Sequence, residues 1–307
     1  MKNLLTMEGV DRGTLDALLN DADEFYEVMH RPIPKVPTLR GKTVATMFFE
    51  PSTRTKLSFE RAAKALSADT LSFSPGTSSL KKGESLKDTV LTVKAMGADL
   101  MVVRHSSTGA AWRVAEWTGL PVVNGGDGAH QHPTQALLDA LTLRQHFGSL
   151  DGLRVAIVGD IRHSRVARSD VWAFSTMGAK VTMIAPPTLL PPDLTGWPAG
   201  VSTDLDAVLD QFDAIYLLRV QAERGGVSVF PSVAEYRQRF GMTDVRFRRL
   251  KPDTIVLHPG PMIRGIEIDS GPADDPRCKV LEQVTNGVAV RMAVLFQLLG
   301  GSKQENE

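Results

Sequence analysis

Seven short apolar runs recur along the chain, each ending in polar, charged or glycine residues. TVATMFF (43–49), DLMVVRH (99–105) and PVVNGG (121–126) lie in the first half. RVAIVGD (154–160), KVTMIAP (180–186), DAIYLLR (213–219) and TIVLHPG (254–260) lie in the second. Helix-like stretches separate them. Strands that are apolar throughout suit burial on both faces, and such strands joined through helices build parallel sheets. At 307 residues the chain exceeds what one core ordinarily supports. The expected fold is therefore α/β, with two doubly wound parallel-sheet domains. Ala136, Leu137, Ala140, Leu141 and Leu143 fall at helical spacing after Pro133, and Gly148 suits the stop. One helix thus joins a first domain, 1–148, to a second, 149–285. The segment 286–300 reads as a final helix, apolar on most sides and so buried.

Open α/β sheets bind ligands at the carboxyl ends of their strands, which directs attention to the run endings. After the first run, Pro51-Ser52-Thr53-Arg54-Thr55 leads into Phe59, Ala62, Ala63 and Leu66 at helical spacing. The hydroxyls and the arginine therefore stand at a helix N-terminus, where unpaired N–H groups favour an anion. Capping needs only one such residue and no arginine, so an anion site is the better reading. Asn124 to Gln135 repeats the arrangement: a strand, a glycine-rich loop, then a helix opened by Pro133. His132 and Gln135 there can hydrogen-bond a carbonyl and an amide together. His130 and His132 lack a Cys or an i,i+4 His beside them, so no metal site is expected.

Arg104 closes a buried strand, which suits either a ligand contact or snorkelling to solvent. SPGTSSLKKGES (74–85), with Lys81 and Lys82, reads locally as a solvated loop. VGDIRHSR (158–165) lacks the dinucleotide fingerprint because Gly159 is its only glycine. Arg165 follows this strand, Arg219 closes another with Gln221 two residues on, and His258-Pro259-Gly260-Pro261 ends the last. Lys plus Arg equals Asp plus Glu at 35 each, so bulk charge gives no reason to expect nucleic acid or an anionic membrane. Arginines gathered at strand ends of a neutral chain instead suit a small, highly anionic substrate. Cys278 is the only cysteine, which excludes an intrachain disulfide. No apolar run is long enough for a membrane span, and a cytoplasmic setting is expected.

FFEPSTRT, SSLKKGE, HPTQ, LLRVQAER and HPGP, in this order, resemble the catalytic chains of aspartate carbamoyltransferases. STRT and HPTQ resemble carbamoyltransferases in general. The resemblance implies a carbamoyl phosphate domain followed by an aspartate domain, with the last helix returning to the first. It implies that Ser52, Thr53, Arg54 and Thr55 hold the phosphate, that Arg104, His132 and Thr55 contact the carbamoyl oxygen, and that Gln135 contacts its amide. Arg165 would hold the α-carboxylate of L-aspartate, and Arg219 and Gln221 the side-chain carboxylate. Carbonyls around Gly260 and Pro261 would steady the carbamoyl and amino groups. Ser78 and Lys82 would reach carbamoyl phosphate from a neighbouring subunit of a homotrimer, with Lys82 also contacting aspartate, which reverses the local reading of the lysine loop. No metal or organic cofactor is implied, and the resemblance admits a larger assembly with regulatory chains or a dihydroorotase. The corresponding ornithine motif typically reads His-Cys-Leu-Pro, and Arg219 would repel a cationic acceptor, so aspartate is favoured over ornithine. Ile263 stands where the family commonly has Asn.

Overall fold

The computed structural model describes residues 1–73, 84–220 and 232–300. By contacts the chain divides into two compact units, Met1–Leu141 with Thr285–Glu307, and Thr142–Val284.

Unit 1 carries a four-stranded sheet of β1 (Thr43–Phe48), β2 (Asp69–Phe73), β3 (Leu100–His105) and β4 (Val122–Asp127). The order is β2-β1-β3-β4, and every pairing is parallel. Around it in sequence lie α1 (Arg12–Met29), α2 (Arg54–Ala65), α3 (Leu86–Ala95), α4 (Ala110–Thr118) and α5 (Pro133–Phe147). Ala45, Met47, Val90, Met101, Val103, Val114 and Val122 form one apolar cluster from the sheet, α3 and α4. Asp11 and Ser85 cap α1 and α3 by accepting from the Thr14 and Asp88 N–H groups, which satisfies donors that a helix start leaves unpaired.

Unit 2 carries five strands: β5 (Arg154–Val158), β6 (Lys180–Ile184), β7 (Gly200–Ser202), β8 (Ala214–Leu217) and β9 (Ile255–Leu257). Their order is β7-β6-β5-β8-β9, again with every pairing parallel. Its helices are α6 (Arg165–Thr176), α7 (Val233–Phe240), α8 (Asp244–Arg249) and α9 (Ser270–Asp274). Val155, Ile157, Phe174, Met183, Ile215, Tyr216 and Val256 are fully buried there.

The two parallel-sheet α/β domains match the fold read from the runs. Two details differ. β2 and β7 were not expected, because they are edge strands with exposed positions and lack the apolar signal of the central strands. The last helix, α10 (Val280–Leu299), begins before the expected Asn286. Its opening turn carries exposed Leu281 and Glu282, which is a poor buried-helix signal. The division by contacts falls inside α5, at Leu141.

Candidate active site

Parallel strands place all their carboxyl ends on one edge of a sheet, so each unit has one edge at which its strand endings converge. In unit 1, β1 runs into Pro51 and then α2, whose first helical residue is Arg54. Thr53 occupies the cap position but makes no side-chain cap hydrogen bond. The hydroxyls of Ser52, Thr53 and Thr55 have no hydrogen-bond partner among the described residues. Capping therefore does not explain this hydroxyl cluster. The helix start also leaves backbone N–H groups pointing along its axis, since the first intrahelical bond is from Leu57 N–H to the Thr53 carbonyl. Such a cradle suits a phosphate.

Arg104 lies beside this cradle through sheet register: it pairs with Phe48, and its carbonyl accepts from Phe49 N–H at 2.8 Å. Its guanidinium is held by Glu50 Oε2, 3.6 Å from Nε, and donates through Nη1 to the Gly125 carbonyl at 3.3 Å. Glu50 is thus a residue that the sequence reading missed. A glutamate before a proline carries no local signal; only the pairing of β1 with β3 brings it to Arg104. With these partners and a side chain 16% exposed, Arg104 is held within the unit and does not extend freely into solvent.

β4 leads into the loop that presents His132 and Gln135. Asp127, 1% exposed, folds this loop by accepting from Asn124 Nδ2 (2.8 Å), Gln131 N–H (3.0 Å) and Gly109 N–H (2.8 Å). Burial pulls the Asp127 carboxyl up, but the hydrogen bonds from His130, Asn124 and Gly109 outweigh it, and the net shift is downward. Gly128 has φ of +48°, and a Cβ there would lie 2.7 Å from Thr108 Oγ1, so the tight turn requires glycine. His130 Nδ1 lies 3.4 Å from Asp127, and its ring packs on Trp112. That histidine builds the loop. His132, 4% exposed, stands immediately before α5, and Gln135 lies in the first turn of the same helix. Among the described residues no group of three His, Cys, Asp or Glu is arranged to hold a metal ion.

In unit 2, Arg165 opens α6 after β5, where Ser164 caps the helix by accepting from Ala167 N–H at 3.1 Å. Gly159 has φ of +128°, and a Cβ there would approach the Tyr236 hydroxyl and Leu218. The single glycine of VGDIRHSR thus permits close packing at this strand end. Arg219 follows β8, which neighbours β5. Its successor Val220 donates to Glu267 Oε1 at 2.9 Å, and Ile263 N–H donates to Glu267 Oε2 at 2.7 Å. Glu267, 1% exposed, therefore clamps the Arg219 segment to the turn after Gly260 and Pro261. Burial pushes its carboxyl above the usual range, against the two N–H donors and the charge of Arg219. Because only the backbone of Ile263 enters the clamp, the Asn-to-Ile departure does not disturb it. His258 Nδ1 accepts from Gly260 N–H at 2.8 Å and shapes the same turn. Ser78, Lys82 and Gln221 lie outside the described residues.

Comparison with known proteins now decides the family. A family model described as "Aspartate/ornithine carbamoyltransferase, carbamoyl-P binding domain" matches residues 2–145, and its partner "Asp/Orn binding domain" matches residues 151–298. This chain belongs to the aspartate/ornithine carbamoyltransferase family. It is 56% identical over 302 residues to the aspartate carbamoyltransferase catalytic subunit of Thermobifida fusca, covering 98% of this chain and 96% of that one. Against the catalytic subunit from Mycobacterium tuberculosis H37Rv it is 54% identical over 308 residues, covering 98% and 97%. Among solved structures, aspartate transcarbamoylase from Trypanosoma cruzi in complex with N-(phosphonacetyl)-L-aspartic acid matches with a TM-score of 0.88 at 30% identity, covering 97% and 96%. The catalytic subunit from M. jannaschii matches with a TM-score of 0.85 at 35% identity, covering 99% and 100%.

Proposed function

We propose that the strand-end residues described above are the working parts of an aspartate carbamoyltransferase. The reaction transfers the carbamoyl group of carbamoyl phosphate to the α-amino group of L-aspartate, giving N-carbamoyl-L-aspartate and phosphate, the committed step of pyrimidine biosynthesis. The observation that carries the residue assignment is the α2 start, where three hydroxyls without partners among the described residues accompany Arg54.

Unit 1 takes carbamoyl phosphate. Ser52, Thr53, Arg54 and Thr55 bind the phosphate, Arg104, His132 and Thr55 the carbamoyl oxygen, and Gln135 the carbamoyl amide. Unit 2 takes aspartate, with Arg165 on one carboxylate and Arg219 and Gln221 on the other. Carbonyls of Gly260 and Pro261 accept from amino groups. The neutral α-amine attacks the carbamoyl carbon and charge grows on the carbonyl oxygen. The bond from carbon to the bridging oxygen then breaks, and phosphate leaves with that electron pair. The proton lost by the amine goes to the phosphate, so no side chain need act as nucleophile. Arg104, His132 and Thr55 stabilise the oxyanion, and removal of one such donor typically costs ~3 kcal/mol, roughly a hundredfold in rate. Arg54 neutralises the leaving group. Holding two anions together against their repulsion supplies much of the remaining acceleration.

The homotrimer, with Ser78 and Lys82 entering from a neighbouring subunit, is part of this proposal, as are a cytoplasmic setting and association with regulatory chains or a dihydroorotase. The description of the relatives as catalytic subunits supports an assembly. Among the described residues no helix is long and apolar enough to cross a membrane. A ureido-product assay with carbamoyl phosphate and either aspartate or ornithine tests the acceptor. Turnover with aspartate is expected, and turnover with ornithine alone would overturn the assignment.

A further inference from the structure

Behind Gln135 lies a buried polar chain that the reaction itself does not use. Gln135 is 8% exposed, and Asp139, one turn later in α5, is fully buried. Gln135 Nε2 donates to both Asp139 carboxylate oxygens, at 3.1 and 3.2 Å. Gln135 Oε1 meets no donor among the described residues. With both carboxyl oxygens accepting from the one nitrogen, Asp139 holds the NH2 end of the amide and not its carbonyl end. The orientation of this amide, ordinarily ambiguous in a structure, is therefore dictated by its neighbour.

Arg291 on α10 is a buried cation that interacts electrostatically with Asp139. That guanidinium, 4% exposed, donates to Ser58 Oγ and to the Gly287 carbonyl, both at 2.9 Å, and lies over the Phe59 ring. Burial pushes Arg291 down to about 10, with Asp139 opposing that shift and Arg104 adding to it. At neutral pH it remains a cation, and α10 thereby closes the polar chain behind Gln135.

We infer that Asp139 is a positioning residue that makes the unit 1 site selective for an amide: by occupying Gln135 Nε2, it leaves only an acceptor, Oε1, to meet the substrate. This rests on the carbamoyl phosphate reading of unit 1. An acceptor at that point matches the NH2 of a carbamoyl group, whereas a donor would match a carbonyl oxygen. Acetyl phosphate has nearly the same shape and carries a methyl in place of the NH2, so it leaves Oε1 without a partner. A site built to receive a donor rejects the analogue that lacks one.

The test measures binding of carbamoyl phosphate, acetyl phosphate and inorganic phosphate to the full chain and to Asp139→Asn. In the variant the new side-chain amide can donate, so Gln135 can turn over. Preference for carbamoyl over acetyl phosphate should fall about tenfold, the scale of one hydrogen bond, while the inorganic phosphate Kd stays within about twofold. Retention of the full preference, or parallel weakening of all three ligands, overturns the inference. Asp139→Asn with Arg291→Met keeps the charge balance should the single variant not fold, and its preference is read the same way. In the unmutated chain, 15N-glutamine labelling gives an independent reading: the Gln135 side-chain NH2 should be protected from exchange without ligand, and fast exchange would refute its pairing with Asp139. A wild-type chain with no preference for carbamoyl phosphate would instead overturn the reading of unit 1, and so separates the two failures.

Discussion

Glu267→Gln changes one oxygen of a buried carboxylate into an NH2 and leaves the side-chain shape intact. The wild-type carboxylate accepts from Val220 and Ile263 N–H at 2.9 and 2.7 Å. The amide can accept only one of these; its NH2 then faces the other N–H, donor against donor. A buried donor left without an acceptor costs about 1–3 kcal/mol, and the surviving bond loses its charge assistance. Against this, the neutral amide avoids the desolvation that holds the Glu267 carboxyl above its ordinary range. The balance is about 1–2 kcal/mol of distortion. It falls on the segment carrying Arg219, so aspartate affinity should drop about 5- to 30-fold. Carbamoyl phosphate binding, assigned to unit 1, should not move. Aspartate saturation and direct carbamoyl phosphate binding measure both. Aspartate affinity within about twofold of wild type would refute the clamp. The pH dependence gives a second check. A raised carboxyl pKa means that the folded state keeps its proton where the unfolded chain has released it. Between those pH values the stability contributed by this group falls as pH rises. Denaturant unfolding should therefore show the wild-type advantage over Glu267→Gln largest near pH 4 and narrowing towards pH 7; a gap that widens contradicts the direction of the shift.

Other outcomes separate the remaining roles. Arg54→Ala should lower kcat about a hundredfold or more, with the KM for aspartate within about threefold; equal losses in both would contradict a leaving-group role. Mixing Arg54→Ala and Lys82→Ala chains should restore activity in hybrid trimers, and no recovery from trimers shown to be mixed would remove the shared site. Thr53→Ala should cost less than about 0.5 kcal/mol of stability while weakening phosphate binding, whereas Ser164→Ala, which loses a cap bond, should cost about 1 kcal/mol. Denaturant unfolding of the two variants, with a phosphate titration of the first, reads this contrast.

The central strands and the residues at their ends were legible because burial on both faces leaves an uninterrupted apolar run, and a run ending in Arg104 or Arg219 is conspicuous. β2 was not legible, since an edge strand such as DTLSF needs no apolar face. The partners of the site residues were also hidden. Glu50, Asp139, Glu267 and Arg291 are ordinary charges in sequence, and they acquire meaning only through pairings that span the fold. Ser58 and Arg291, for example, meet across 233 positions. Asp127 was passed over as one member of a glycine-rich loop, yet its buried carboxylate organises that loop.

Unit 1 is discontinuous: its sheet lies within Met1–Leu141, but α10 returns to it from Thr285 onward. Until that helix arrives, Phe25 lacks the Phe296 ring packed against it, and Ser58 and Phe59 lack Arg291. During synthesis all of Thr142–Val284 must be made in the interval, roughly 7–30 s at typical translation rates. The order of emergence from the ribosome is thus the reverse of the order of completion. The half that begins first closes last, and throughout that wait its unfinished core is exposed to chaperones and to aggregation.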